Sequence, residues 1–223
     1  MALKFAVLGA CAVAATCAGT AWALTWSSQP AWAEAPSVAD VAAAYPPRAR
    51  AAGVSGTVNL TCEIRRDGHP RDCATLTEKP EGYGFGAAAR KIAERLKVED
   101  YTPSQKDTFI PVRFDAAVLK GQAMVTKPTW AELPSAQDFQ ATFPKTENGV
   151  NDIRVVLGCT VAPGGELSGC AVAEENPPGQ GYGAGALALA SKFKLEPWGA
   201  DGAPTVGARI KLPIHYELTP AKK

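Results

Sequence analysis

The segments CEIRRDGHPRDC at 62–73 and CTVAPGGELSGC at 159–170 each set two cysteines eleven positions apart around a central turn signal. The midpoints fall at Asp67-Gly68 and Gly164-Gly165, both favoured hairpin turn pairs. In a two-residue hairpin, positions equidistant from the turn face each other at Cα separations of about 4.5 to 5.5 Å, which suits a disulfide. The spacing therefore predicts Cys62 bonded to Cys73 and Cys159 bonded to Cys170, each pair stapling its own hairpin. The competing reading, a zinc site, needs short cysteine spacings or a Cys/His cluster, and the chain has only His69 and His215 to offer.

Disulfides need an oxidising compartment, and the N-terminus points to one. After Met1 and a single Lys4, residues 5–26 form an uncharged, Ala-rich apolar run. It reads as an export signal with two Ala-x-Ala sites, Ala21-Trp22-Ala23 and Ala31-Trp32-Ala33, either of which can precede cleavage. The second lies against the polar Glu34-Ala35-Pro36, so residues 1–33 are assigned to the signal. The open alternative is an uncleaved anchor, because about 20 apolar residues span a bilayer as a helix. Cys11 and Cys17 lie in this segment, which leaves four cysteines for the exported chain.

The cysteine spacing recurs because its surroundings recur. Pro36-Ser37 and Asp40 return as Pro134-Ser135 and Asp138, and Tyr45-Pro46 returns as Phe143-Pro144, all displaced by 98. The cysteines follow at 97, Gly82-Tyr83-Gly84 returns as Gly181-Tyr182-Gly183 at 99, and Ile110-Pro111-Val112-Arg113-Phe114 returns as Leu212-Pro213-Ile214-His215-Tyr216 at 102. Drifts in offset mark loop insertions. The chain is read as a tandem duplication, with repeats at 34–118 and 134–220 and a linker at 119–133.

Within the first repeat Val58, Leu60, Cys62 and Ile64 alternate with Thr57, Asn59, Thr61 and Glu63, the period of a strand with one buried face. A helix is expected over 87–96, where Ala88, Ile92 and Leu96 fall at four-residue steps, and its counterpart over 184–193. Short helices are expected over 38–44 and 136–142. A last strand closes each repeat with a proline near its start, where a ladder donor can be spared. The fold class predicted is α+β: two tandem units, each a three-stranded antiparallel sheet packed on a helix. Strand three can be antiparallel only to strand one, so the order is 2-1-3 and strand three stands at an edge.

Several chemistries find no support. The Gly-rich runs at 82–86 and 179–183 precede helices but follow antiparallel hairpins, so they lack the parallel βαβ context of a nucleotide fingerprint and are read as flexible lead-ins. No nucleophile, base and acid constellation recurs between the repeats, so no catalytic residue, metal site or cofactor is assigned. Glu174-Glu175 and Arg65-Arg66 are read as solvated loop and turn charges. The formal net charge of +1 and the even balance in each repeat give no basic excess for nucleic acid.

Tyr45-Pro46 followed by Gly56-Thr57-Val58-Asn59-Leu60-Thr61-Cys62-Glu63-Ile64-Arg65-Arg66-Asp67-Gly68 resembles the C-terminal domain of the TonB family, which pairs a Tyr-Pro helix with a Gly-x-Val alternating strand and an Asp-Gly turn. In the second repeat Phe193-Lys194-Leu195-Glu196-Pro197 is similar to the family's aromatic-x-aromatic-x-Pro segment, with Leu195 at the second aromatic position. The resemblance implies a periplasmic domain that pairs with an extended segment of a periplasmic or outer-membrane protein, a TonB-dependent transporter in the family's own case. The family's energy transducers carry a long Pro-rich spacer, whereas the stretch 27–37 reaches only about 35 Å fully extended. The reading is therefore a non-enzymatic exported module that binds partners by strand addition, with an inner-membrane energy transducer as the alternative. The expected partner-binding residues are Pro111, Val112, Arg113 and Phe114, with Pro213, Ile214, His215 and Tyr216.

Intact-mass analysis of protein recovered from the periplasm is expected to show loss of the N-terminal segment and four fewer hydrogens than the all-thiol mass. Four alkylatable thiols without reduction would overturn the disulfide assignment.

Overall fold

The computed structural model describes residues 30–103, 107–143 and 152–217. The apolar run and the Ala21-Trp22-Ala23 site lie outside them. The described chain opens with β1 (Trp32–Glu34), α1 (Val38–Ala44) and α2 (Pro47–Ala52). It continues through β2 (Gly56–Ile64), β3 (Pro70–Lys79), α3 (Phe85–Ala93), β4 (Lys97–Val98) and β5 (Thr108–Phe114). A 3-10 turn at Ala116–Lys120 leads to β6 (Met124–Val125), β7 (Trp130–Glu132) and α4 (Ala136–Thr142). Then come β8 (Asp152–Val161), β9 (Leu167–Asn176), α5 (Tyr182–Ala190), β10 (Lys194–Leu195) and β11 (Arg209–Glu217).

The N-terminal sheet has the order β3-β2-β5 and the C-terminal sheet the order β9-β8-β11, with the short β6 added parallel to β11. Both central strands are antiparallel to their neighbours. This is the expected mixture of antiparallel sheet and helix, with strand order 2-1-3. The apolar face of β2 buries Val58, Leu60 and Cys62, and β5 adds Ile110, Val112 and Phe114, over the α3 residues Phe85, Ala89 and Ile92. Gly56 is required at the start of β2, because a Cβ there would run into the Phe85 ring. In both α1 and α4 a serine caps the helix: Ser37 Oγ accepts from the Asp40 amide and the Asp40 carboxylate accepts from the Ser37 amide, and Ser135 and Asp138 do the same. Each box satisfies orphan donors of the first turn.

The main helices are shifted toward the N-terminus of the expected spans. Both start two residues early, after Gly84 and Gly181 with φ of +86° and +84°, and both end three early. Leu96 and Phe193 are buried as the periodicity requires, but the Leu96 amide bonds the Ala93 carbonyl and the Phe193 amide bonds the Ala190 carbonyl in tightened turns beyond the helix.

Both disulfides join the expected partners, with S–S distances of 2.04 Å and 2.07 Å. The geometry that aligns them differs from a two-residue hairpin. The first turn has three residues, with the Arg65 amide bonded to the His69 carbonyl and Ile64 opposite Pro70, so Cys62 and Cys73 are not equidistant from its centre. A bulge at Asp72, φ +49°, adds one residue to β3 and brings Cys73 level with Cys62. In the second hairpin the Ala162 amide bonds the Glu166 carbonyl, and Gly169, φ +58°, provides the same extra residue. A closed loop of this size stabilises by about 3 kcal/mol in the chain-entropy account.

Two sequence boundaries fall inside secondary structure. β1 pairs with β4, and its Trp32 is 4% exposed within the first core, so the assigned signal boundary at Ala33 cuts through a strand. The span 119–133 holds β6 and β7, with β7 pairing with β10 as β1 does with β4. Trp32-Ala33-Glu34 and Trp130-Ala131-Glu132 are identical tripeptides 98 apart, a signal that places β1 and β7 in the repeated pattern. The two cores are distinct clusters, but the N-terminal one includes Trp198 and Ala208 from the segment between β10 and β11.

Trp198→Ala is therefore expected to destabilise the N-terminal sheet by about 3 to 5 kcal/mol, as for other buried Trp truncations. Amide exchange at Leu60, Ile110 and Val112 should quicken accordingly. Unchanged protection there would mean the first core does not depend on Trp198.

Candidate functional site

The third strands are where a partner segment would add, and their alternation divides the eight expected residues into two groups. Val112, Phe114, Ile214 and Tyr216 point into the cores and are buried. Their side chains hold the sheets together and are not available to a partner. Phe114 packs with Tyr45 and Phe85, and Tyr216 with Phe139 and Phe143. Burial pushes the Tyr216 hydroxyl pKa up. Pro111, Arg113, Pro213 and His215 sit at the alternate positions, with side chains on the other sheet face.

Main-chain groups of Pro111 and Arg113 face away from β2, toward the sheet edge. Prolines at 111 and 213 therefore remove no bond from either ladder. The expectation that this edge is left unpaired differs from the structure at both residues of β5. The Arg113 amide donates to the Gly202 carbonyl at 2.8 Å, and the Trp198 indole N–H donates to the Pro111 carbonyl at 3.3 Å. The Arg113 guanidinium joins Asp201 at 2.7 Å and Asp115 at 3.1 Å. On β11 the start of the edge is taken by β6, where the Arg209 amide donates to the Ala123 carbonyl at 3.0 Å. Lower on that strand His215 Nε2 donates to Asp152 at 2.6 Å. This bond, with Arg154 nearby, holds the Asp152 carboxyl below the usual carboxylate range against a smaller opposing effect of burial.

The covering residues 198–202 were not singled out by sequence reasoning. Their signal is a rise in offset: the glycines before the main helices, Gly84 and Gly181, and the short strands β4 and β10 stand 97 apart, not the 99 of the matched tripeptides, whereas the last strands stand 102 apart. The five additional residues fall in this Gly- and Pro-rich stretch between β10 and β11, around an otherwise unexplained tryptophan.

The Gly-rich lead-ins have a defined role. Gly84 and Gly181 turn the chain into α3 and α5 in the left-handed region, and a carboxylate from the preceding strand meets the helix start. Glu78 accepts from the Phe85 and Gly86 amides at 3.0 and 3.1 Å, and Glu175 accepts from the Tyr182 amide at 3.0 Å. Amides that a phosphate would require are already engaged. Glu175 is thus a half-buried helix cap rather than a solvated loop charge, and its place in β9 explains why. Among the described residues no group of three His, Cys, Asp or Glu side chains could hold a metal ion, and no helix is long and apolar enough to cross a membrane.

Residues 41–118 match the family model of the Gram-negative bacterial TonB protein C-terminal domain. The match runs from α1 through β5 and covers about a third of the chain. A protein of Caulobacter vibrioides described as uncharacterised is 32% identical over 63 residues, which are 28% of this chain and 63% of that protein. The chain thus spans less than two thirds of that relative's length.

Glu78→Ala is expected to lower stability by about 1 to 2 kcal/mol, the range for losing a helix cap, through two unsatisfied amides at the start of α3. Urea midpoints of the variant and the unaltered protein check it, and an unchanged midpoint would assign the cap no energetic role.

Proposed function

We propose that the chain is a non-enzymatic, exported periplasmic protein built from a tandem pair of TonB-C-like units. It binds a short extended segment of another envelope protein by adding it as a strand to β5 or β11. One observation carries this reading: the stretch matching the TonB C-terminal family takes in β5, and β5 stands at a sheet edge with alternate main-chain groups turned outward. Strand addition takes affinity from such groups and specificity from the side chains beside them. The tandem arrangement is supported by the sequence repeats and by the shared strand order of the two sheets. Cleavage after Ala23 fits the proposal better than cleavage after Ala33, because it leaves Trp32 in the first core. The other reading, a membrane-anchored energy transducer, draws on the apolar run at 5–26, which is long enough to span a bilayer.

Photo-crosslinkers placed in cells at Phe109, at the exposed end of β5, and at Lys211 on β11 should capture an envelope protein through an extended segment. Recovery of transporter plug ends, with residues 1–33 retained in the membrane, would favour the energy transducer. Absence of any capture from either strand, in an exported and folded protein, would overturn strand addition.

A further inference from the structure

We infer that the outer edge of β5 is a binding site for a segment in which a tryptophan is followed, after two residues, by Asp-Gly, and that the chain's own Trp198, Asp201 and Gly202 are its resident occupant. The inference rests on the proposed strand-edge function only for what the edge is for; the occupancy is read directly from the contacts. A strand added to this edge would bond its outward groups, and those of Pro111 and Arg113 are bonded by the segment from the other sheet's connection. Each feature of that segment meets a separate feature of the edge. The Trp198 indole is 2% exposed among the N-terminal core residues, and its N–H reaches the Pro111 carbonyl. Asp201 meets the Arg113 guanidinium. Gly202 brings main chain against main chain, since a Cβ at this residue would strike the Pro111 carbonyl and the Val112 amide, and its φ of +79° favours glycine.

The occupant is shaped before it docks. The Gly199 amide bonds the Ala203 carbonyl, the Gly202 amide bonds the Gly199 carbonyl, and the Ala203 amide donates to the Asp201 carboxylate. These bonds lie within the segment, so it holds its form without β5 and loses little entropy on seating. Tethering in the same chain gives it a high effective concentration, so an outside segment of the same chemistry binds β5 only as this one lifts. The N-terminal binding edge is thereby self-occupied.

A labelled synthetic peptide spanning residues 196–208 tests this on the full, oxidised chain and needs no outside partner. Gly202→Ala, which forces the resident segment off the Pro111 carbonyl, should strengthen peptide binding by about tenfold or more over the unaltered chain, since the tethered competitor is removed. Adding Arg113→Ala should remove that gain. Asp201→Ala, which deletes the ion pair and the carboxylate's bond to the Ala203 amide but leaves the Trp198 anchor and the Gly202 main-chain contact, should give a smaller gain and carries the test if Gly202→Ala does not fold. Equal peptide binding, or none, in the unaltered chain and in every folded variant would overturn the inference. Failure to capture a partner in cells would count against the proposed function and leave this result standing.

Discussion

Trp198 leaves the connection between β10 and β11 and buries its indole among the core residues of the other sheet, with Asp201 and Gly202 following it onto the edge of β5. Much of the architecture depends on this insertion. It supplies a large apolar side chain to a small core, where a single buried aromatic is a sizeable share of a net stability of about 5 to 15 kcal/mol. It also satisfies main-chain groups of an edge strand that would otherwise face solvent or another chain. The Val38 amide, bonded to the Val206 carbonyl at 2.9 Å, ties α1 to the same segment. The two sheets therefore do not stand as independent bodies, although each has its own apolar cluster.

Register within each sheet depends on a second constraint, the left-handed residue in the outer hairpin strand. Three-residue turns alone would offset the cysteines by one position. Asp72 and Gly169 each add the missing residue, and the disulfides then lock a bulge that also twists the strand away from edge pairing. The turns themselves are held from the far side: the Val98 amide donates to the Gly68 carbonyl and the Leu195 amide to the Gly165 carbonyl. A short strand after each helix thus fixes the hairpin tip that the disulfide fixes from within.

Charge is used locally throughout. Burial works to raise the Asp40 carboxyl, but hydrogen bonds from Ser37 and the Arg95 guanidinium outweigh it and hold it below the usual range. Such a depressed carboxylate contributes stability that is present above the unfolded-state pKa and fades as the pH falls through the folded one. Glu78 and Glu175 accept main-chain amides at helix starts, so several acidic groups that look like surface charges in the sequence are structural caps.

The amino-acid order by itself determined the local elements. Period-two alternation in β2, the Ser-x-x-Asp boxes of α1 and α4 and the cysteine spacing reflect contacts among near neighbours, and the last strand is legible because its pattern is repeated. The disulfide partners were legible too, although the bulge at Asp72 that aligns them was not, because a single left-handed residue leaves no periodic trace. The edge positions Pro111 and Arg113 could be named, but not their occupants. What covers them lies some ninety residues away in a Gly- and Pro-rich insertion with no periodicity, and its place is set by a cavity for Trp198 and a carboxylate partner for Arg113 that exist only once both sheets have formed. Local pattern fixes helices and hairpins because their bonds are short in sequence, and it marks the last strands only through their alternation and repetition. The state of the binding edge was left to the tertiary structure, because outward main-chain groups take whichever segment the packed cores bring to them.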